Sequence, residues 1–545
     1  MQNELTNTQI FDFFSHLIFS IFYYSSITVF IIIALYYFYV FFYKDGYIDE
    51  LGLRYSIGSG SSANPPSKKL KDGHIWTSLN NLRFYSLKNQ KKESRIFINQ
   101  FRYFDDYAKK IKIPNWLRKI HESLEVFIDA SMMARGMLIV GSAGGGKTVA
   151  INSISAQKWY RKGVFFSKKG DSEKLFYRPK IDFLINPKIK SGTVHDILSE
   201  DIQYIEVYIN TLMNATLGKS QDYFSGNAKQ KLKKFLEKVK IKEYDDNLTV
   251  IEKWDLFLNF FAEAFEDAQN GDQKSERDVL STVSATMENL YLTAYRIKQG
   301  HRTFTAKEFF SDTKKRNNVF LNATDPSMIG LLSATAAVLI TYQLAMPDIK
   351  EWDEDFKVYY NLDEYLSFAA AMDDEILAEI SRVGRSKGIC AVKSVQSFPS
   401  KEDELKELVS NVQYIMIFAS TDDKVYEKLN KIIGKTEYVN RTKNESYSGN
   451  KKTISYSDKL ESRDIVSQYQ VNTIQNEGFS HIFFAPKEKI LYKGYTPEIH
   501  IKERKHINFN EIPLVGFYKW KHEFEDDMKD KAKKNKAIAQ KILGM

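Results

Sequence analysis

The sequence predicts an α/β protein built on a parallel sheet, and three observations predict it. A short apolar strand over 136–140 runs straight into Gly141-Ser-Ala-Gly-Gly-Gly-Lys147-Thr148 and then into a helical stretch over 149–160. A second apolar run, Phe356-Lys-Val-Tyr-Tyr-Asn-Leu362, ends in the acid pair Asp363-Glu364. Strand-like and helix-like stretches then alternate over 318–322, 330–344, 376–383, 389–393, 414–418 and 423–433, which is the rhythm of crossover connections.

In chain order, the first distinctive element is 17–43, which has no charged side chain and is dense in Ile, Phe, Tyr and Val. About 20 apolar residues span a bilayer as a helix, so this stretch predicts one transmembrane helix. It is too long for a signal peptide and has neither a basic leader nor a small-residue cleavage site. Basic residues follow it (Lys44, Arg54, Lys68, Lys69, Lys71), while the first fifteen positions carry only Glu4 and Asp12. That asymmetry predicts a non-cytoplasmic 1–16 and a large cytoplasmic part. Residues 44–112 are read as a juxtamembrane linker region that includes a Gly/Ser stretch closed by Pro65-Pro66. From Pro114, the positions Trp116, Leu117, Ile120, Leu124 and Phe127 predict a helix leading into the core.

Composition narrows the class. Hydrophobic residues at 43% and charged residues at 27% exclude wholesale disorder. A net charge of +9 permits contact with nucleic acid or an anionic membrane without selecting either. The single cysteine, Cys390, excludes a disulfide framework and a cysteine-bound zinc site.

The loop over 141–148 is a complete P-loop in its strand, loop, helix setting. Gly141, Ser142, Ala143, Gly144, Gly145 and Gly146 let backbone N–H groups wrap phosphates, and the following helix offers its positive end to the anion. Lys147 is expected to reach the β and γ phosphates of ATP, and the Thr148 hydroxyl to bind Mg2+. Asp363, at a strand end, is expected to hold the same metal through water, and Glu364 to orient and deprotonate the attacking water. The strand over 389–393 finishes near Gln396, so parallel strand ends would place Gln396 beside Asp363 as a γ-phosphate sensor. Arg382 and Arg385 are candidates to reach a neighbouring subunit's nucleotide; the bland alternative for each is a solvated or structural ion pair.

Lys147 and Asp363 stand farther apart than a minimal P-loop core requires, and helical patterns over 202–213, 228–239, 250–268 and 279–297 fill the gap. A strip of Lys229, Lys231, Lys233, Lys234, Lys238, Lys240 and Lys242 would suit a phosphate backbone, although such runs are more often solvated faces. Residues 524–543 look like a mixed-charge, lysine-rich helix or tail.

Taken in order, the anchor, the P-loop, Lys169-Gly170-Asp171, Asp182-Phe-Leu-Ile-Asn186-Pro187, Tyr223-Phe-Ser-Gly226, Asn361-Leu-Asp-Glu364, Gly384-Arg-Ser-Lys-Gly388 and Gln396-Ser397 make the chain resemble the type IV secretion coupling proteins of the TraD/TraG family. The resemblance covers about 136–490. It implies a RecA-like P-loop domain with an inserted all-α domain, assembled as a hexameric ring at the bacterial inner membrane. It also implies ATP hydrolysis coupled to the passage of DNA, or a relaxase–DNA complex, into a type IV secretion channel. The corresponding organisation is 113–198 and 302–502 for the nucleotide-binding domain, 199–301 for the helical insertion and 503–545 for a charged tail. The family commonly has two transmembrane helices where this sequence offers one. Competing readings are a cell-division DNA translocase or secretion-channel ATPase, which should lack the insertion, and a receptor that docks effector proteins.

Overall fold

The computed structural model describes residues 31, 33, 68–72, 79–91, 95–101, 124–218, 223–270, 274–410, 412–420, 422–448, 451–474, 479–497 and 510–542. The expected transmembrane helix lies outside them apart from Ile31 and Ile33, which are helical, as does most of the expected linker region. The chain divides into two compact units, one of 1–82, 430–466 and 489–491, the other of 83–429, 467–488 and 492–545.

The strands, in chain order, are β1 (Lys68–Asp72), β2 (Arg95–Phe101), β3 (Leu124–Asp129), β4 (Met137–Val140), β5 (Lys162–Ser167), β6 (Phe183–Ile185), β7 (Val194–His195), β8 (Thr303–Phe304), β9 (Asn317–Asn322), β10 (Val358–Leu362), β11 (Ile389–Val395), β12 (Tyr414–Ile417), β13 (Lys435–Ser448), β14 (Lys451–Asp464), β15 (Ser480–Ala485) and β16 (Ile490–Tyr495). In the first unit β13 pairs antiparallel with both β1 and β14, and β13 and β14 form a long hairpin.

The main sheet has eleven strands in the order β3-β2-β16-β15-β12-β4-β11-β10-β5-β9-β6. From β12 to β6 every pairing is parallel, as the alternation predicts. β4, β5, β9, β10 and β12 are buried along their whole length, so their central residues read as unbroken apolar runs and not as alternating ones. The β15 strand runs antiparallel to β12, and β2 runs antiparallel to β3 and to β16, so the sheet is mixed.

This extension corrects one expectation. Leu124 and Phe127 belong to β3 and not to a helix, whereas 114–120 lie outside the described residues. In Leu124-Glu-Val-Phe-Ile-Asp129 the buried apolar residues are Val126 and Ile128, two apart, with Phe127 between them half-buried and Glu125 before them exposed. The period is therefore that of a strand, and it overrides the apparent helical spacing.

Between β7 and β8, four helices follow one another: Ile202–Leu217, Tyr223–Asp246, Val250–Asn270 and Lys274–Lys298. Trp254 is fully buried among them and donates its indole N–H to Asp196 Oδ1 at 2.8 Å. The helix Ile329–Ala345 belongs to a segment long and apolar enough to cross a membrane, but 67% of that segment is buried within the protein. It packs on helix Ile202–Leu217 and on β9, and this covering accounts for its nearly unbroken apolar sequence.

The C-terminal region is also not the solvated tail that its charge suggested. Val515–Ile542 is one helix, and its Phe517, Trp520 and Phe524 pack against Tyr291 and Tyr295 of helix Lys274–Lys298 with ring centroids 5.4–6.3 Å apart. Phe517, Trp520, Phe524 and Met528 recur at three- and four-residue spacing, so a helical stripe was present beneath the charge. Lys521 adds an ion pair to Glu288 at 2.5 Å.

Candidate nucleotide-binding site

The carboxyl ends of β4, β5, β10 and β11 lie side by side, as parallel strand ends must, and β15 arrives antiparallel from the opposite direction. Their loops enclose a cleft of about 200 Å³ lined by Ala143, Gly144, Gly146, Lys147, Thr148, Val149, Lys169, Asp363, Glu364, Gln396 and Phe479. Thus the P-loop, both acids and Gln396 meet in one place.

The P-loop is held by its neighbours. Gly141 N donates to Val395 O at 3.3 Å and Ser142 N to Ala419 O at 3.0 Å, which pins the loop to the ends of β11 and β12. Two glycines are required by shape. A Cβ on Gly141 would stand 2.6 Å from Phe418 Cβ, and one on Gly146, whose φ is +102°, would stand 2.8 Å from Phe479 Cδ1. Gly146 caps helix Lys147–Ala156, so the first N–H groups of that helix face the cleft.

Lys147 Nζ donates to Gly141 O at 2.6 Å and to Ser142 O at 2.9 Å. Burial holds its pKa below the ordinary lysine value, and the carboxylates of Asp363 and Glu364 oppose that shift. Burial likewise raises the Asp363 carboxyl, and the Glu364 charge beside it adds to the effect. Glu364 sits at φ +60°, ψ +46°, a left-handed conformation uncommon outside glycine and asparagine, and it caps helix Tyr365–Ala371. Strained backbone of this kind concentrates at functional positions. Gln396 Nε2 donates to Glu364 Oε1, so the residue expected beside Asp363 in fact grips its neighbour.

Arg385 is not in this cleft. With Arg135, Arg382, Lys393 and Lys487 it lines a separate cavity bordered by Gly136 and Ile389, at the amino ends of β4 and β11. Arg382 is exposed and pairs with Glu379 at 2.5 Å.

The lysine strip is largely occupied within the protein. Lys229 donates to Asn214, and Lys231, Lys233, Lys240 and Lys242 pair with Glu276, Glu206, Glu243 and Asp246. Lys238 lies over the Phe260 ring at 5.5 Å. Acidic residues on neighbouring turns and helices thus meet much of the strip, while Lys234, Lys238 and Lys242 remain exposed.

Three lining residues were not singled out from sequence for this site, and of these Val149 simply continues the helix after Thr148. Lys169 follows β5, the neighbour of β10, and its Lys-Gly-Asp setting was the available signal. Phe479 precedes an antiparallel strand, and no spacing rule pointed to it.

Beside the cleft the polar pieces of the sequence interlock. Glu173 is fully buried, and its Oε1 accepts from Asn322 Nδ2 at 3.0 Å. Asn186 Nδ2 in turn donates to Asn322 O at 2.9 Å. Burial pushes the Glu173 carboxyl up to about 7 from an ordinary 4.5. The folded state therefore holds this proton more tightly than the unfolded state, and stability falls as pH rises from about 4.5 to about 7. Glu173→Gln, which mimics the protonated form, should abolish that loss. The expected result is a gain of up to about 3 kcal/mol over wild type at pH 8 and almost none at pH 4.5, read as Tm against pH.

The chain was compared with known proteins. No curated protein sequence matches it. Among solved structures it is similar to the bacterial conjugative coupling protein TrwBdeltaN70 in a trigonal form with sulphate, at 15% identity and a TM-score of 0.58, over 83% of this chain and 99% of that one. It is also similar to the plasmid coupling protein TrwB in complex with ADP and Mg2+, at 15% identity and a TM-score of 0.56, over 83% of this chain and 100% of that one. The same protein with the ATP analogue ADPNP gives 14% identity and a TM-score of 0.56, over 83% and 99%. At such identities these likenesses establish the fold. The family model of the type IV secretion-system coupling protein DNA-binding domain matches residues 124–485, about two-thirds of the sequence and the part that builds the cleft, and the chain accordingly belongs to the type IV secretion-system coupling protein family.

Proposed function

We propose that the protein is an ATPase, anchored in the bacterial inner membrane by 17–43 with its large part cytoplasmic, that drives DNA or a relaxase–DNA complex into a type IV secretion channel. The observation that carries this reading is the convergence of the P-loop, Asp363, Glu364 and Gln396 on one cleft in a chain of this family.

The cleft suits ATP with Mg2+. The cradle at Gly141 and Gly146 leaves no room for side chains, which suits close backbone wrapping of phosphates. Thr148 and Asp363 supply hard oxygen donors, and among the described residues no group of three or more His, Cys, Asp or Glu forms a separate metal site. The structural relative TrwB is known with ADP and Mg2+. When bound, Mg2+ would neutralise phosphate charge.

Lys147 exchanges the carbonyls of Gly141 and Ser142 for phosphate oxygens. Glu364 accepts the proton of the attacking water, and Gln396 fixes the carboxylate that does so. Arg385, at the opposite sheet edge, is available to a neighbouring subunit in a hexameric ring. The helical insertion over 199–301 is read as a separate domain on the nucleotide-binding core.

The test is phosphate release by the full-length protein in detergent, with and without single- and double-stranded DNA. Hydrolysis that rises several-fold with DNA is expected. Absence of hydrolysis sinks the motor reading, and turnover indifferent to DNA favours a role in docking effector proteins.

A further inference from the structure

The cleft contains a second lysine that the P-loop pattern does not account for. Lys169 lines the same cavity as Lys147, Thr148, Asp363 and Glu364, and its side chain is exposed to it. The two lysines differ in state. The Lys147 ammonium is buried and held by two loop carbonyls. Lys169 makes no hydrogen bond or ion pair among the described residues, and its charge acts on Asp363 and Lys147 through space only.

The loop that carries Lys169 is fixed from three sides. Gly170 has φ +72° and donates its N–H to Ser167 Oγ at 3.0 Å, which closes a tight turn at the end of β5. A Cβ on Gly170 would lie 3.3 Å from Asn322 Nδ2, the amide that bonds buried Glu173, so the turn leans on that polar network. Lys168 donates to Ser367 Oγ at 2.6 Å, which ties the turn to the helix that Glu364 caps. A solvated surface lysine would need none of this support. The positive charge of Lys169 is also felt at both Lys147 and Asp363.

We propose that Lys169 is a second phosphate-contacting cation of the ATP site, supplied from within the same chain, that stabilises the negative charge on the transferred phosphoryl group. The inference rests on the ATPase reading above. In that reaction the water oxygen bonds to the γ phosphorus and the bond from that phosphorus to the bridging oxygen breaks. Its electron pair stays on ADP, and the water proton passes to Glu364. Lys169 transfers no proton and acts by charge alone, an effect that grows as charge spreads over the oxygens in flight.

The test compares full-length wild type, Lys169→Met and Lys169→Arg in detergent, with three readouts: turnover, fluorescent ADP binding, and trapping of ADP with aluminium fluoride as a mimic of phosphoryl transfer. Lys169→Met should lose about 100-fold in kcat. Its ADP affinity should stay within about 3-fold, since ADP lacks the group that Lys169 contacts. It should fail to trap aluminium fluoride, and Lys169→Arg should recover both trapping and most of the turnover. If Lys169→Met turns over within about 3-fold of wild type, the inference falls while the ATPase reading stands. Loss of ADP binding in parallel with turnover, without rescue by arginine, assigns the residue a structural role and also overturns it. A wild type that does not hydrolyse ATP overturns both readings.

Discussion

Lys147→Ala is expected to lower ATP turnover at least about 1000-fold and to weaken nucleotide binding as well, measured by phosphate release and by fluorescent nucleotide titration. The double effect follows from where the ammonium lies. It is buried at the base of the P-loop, it already holds Gly141 O and Ser142 O, and burial depresses its pKa against the pull of two carboxylates. A nucleotide phosphate is thus a better partner than the groups Lys147 has. Alanine removes that partner and leaves Asp363 and Glu364 facing phosphate without compensation. Wild-type turnover in this variant would refute the assignment of the cleft.

Asp182→Ala should cost about 3–5 kcal/mol of stability, enough to unfold a domain of ordinary stability, and urea titration will read it directly. Asp182 is fully buried just ahead of β6. Its two oxygens accept from Arg178 Nε at 2.9 Å and Nη2 at 2.7 Å, from the Arg178 backbone N at 2.8 Å, and from Asn318 N on β9 at 2.9 Å. Removing the carboxylate leaves the Arg178 guanidinium with only its bond to Arg316 O and leaves the buried Asn318 amide unpaired, and these stranded donors, not the lost attraction, dominate the cost. A loss under about 1 kcal/mol would show that the site relaxes or admits water.

Asp182 and Asn186 contributed to the family resemblance, yet the structure uses both to fasten β6 and β9 together rather than to touch the cleft. The P-loop, Asp363, Glu364 and Gln396 were legible because each is tied to a strand end, and a parallel sheet gathers strand ends on one edge. Five of the seven parallel strands, β4, β9, β10, β11 and β12, were legible for a related reason: burial on both faces leaves apolar runs, whereas β5 and the three-residue β6 were not read from sequence. The antiparallel extension was harder, since β2 and β3 are short and alternate, and a period of two over six residues overlaps the helical one. The lysine strip stayed open between a solvated face and a phosphate contact because charge along a helix says nothing of the acids brought opposite it by folding. The C-terminal helix was obscured in the same manner: its aromatic stripe is sparse against a charged background, and its partner lies far away in the sequence.

That last contact has a consequence for how the chain is made. Tyr291 and Tyr295 emerge from the ribosome long before Phe517, Trp520 and Phe524, which cover them in the finished protein. At about 5–20 residues per second the interval is on the order of tens of seconds. Throughout it the aromatic seam of the bundle lacks its cover, and the helix Val515–Ile542 must arrive before that seam finds another chain. The helix Val515–Ile542 is thus the closing clasp of the bundle in biosynthesis, and until it is made the bundle stays sticky.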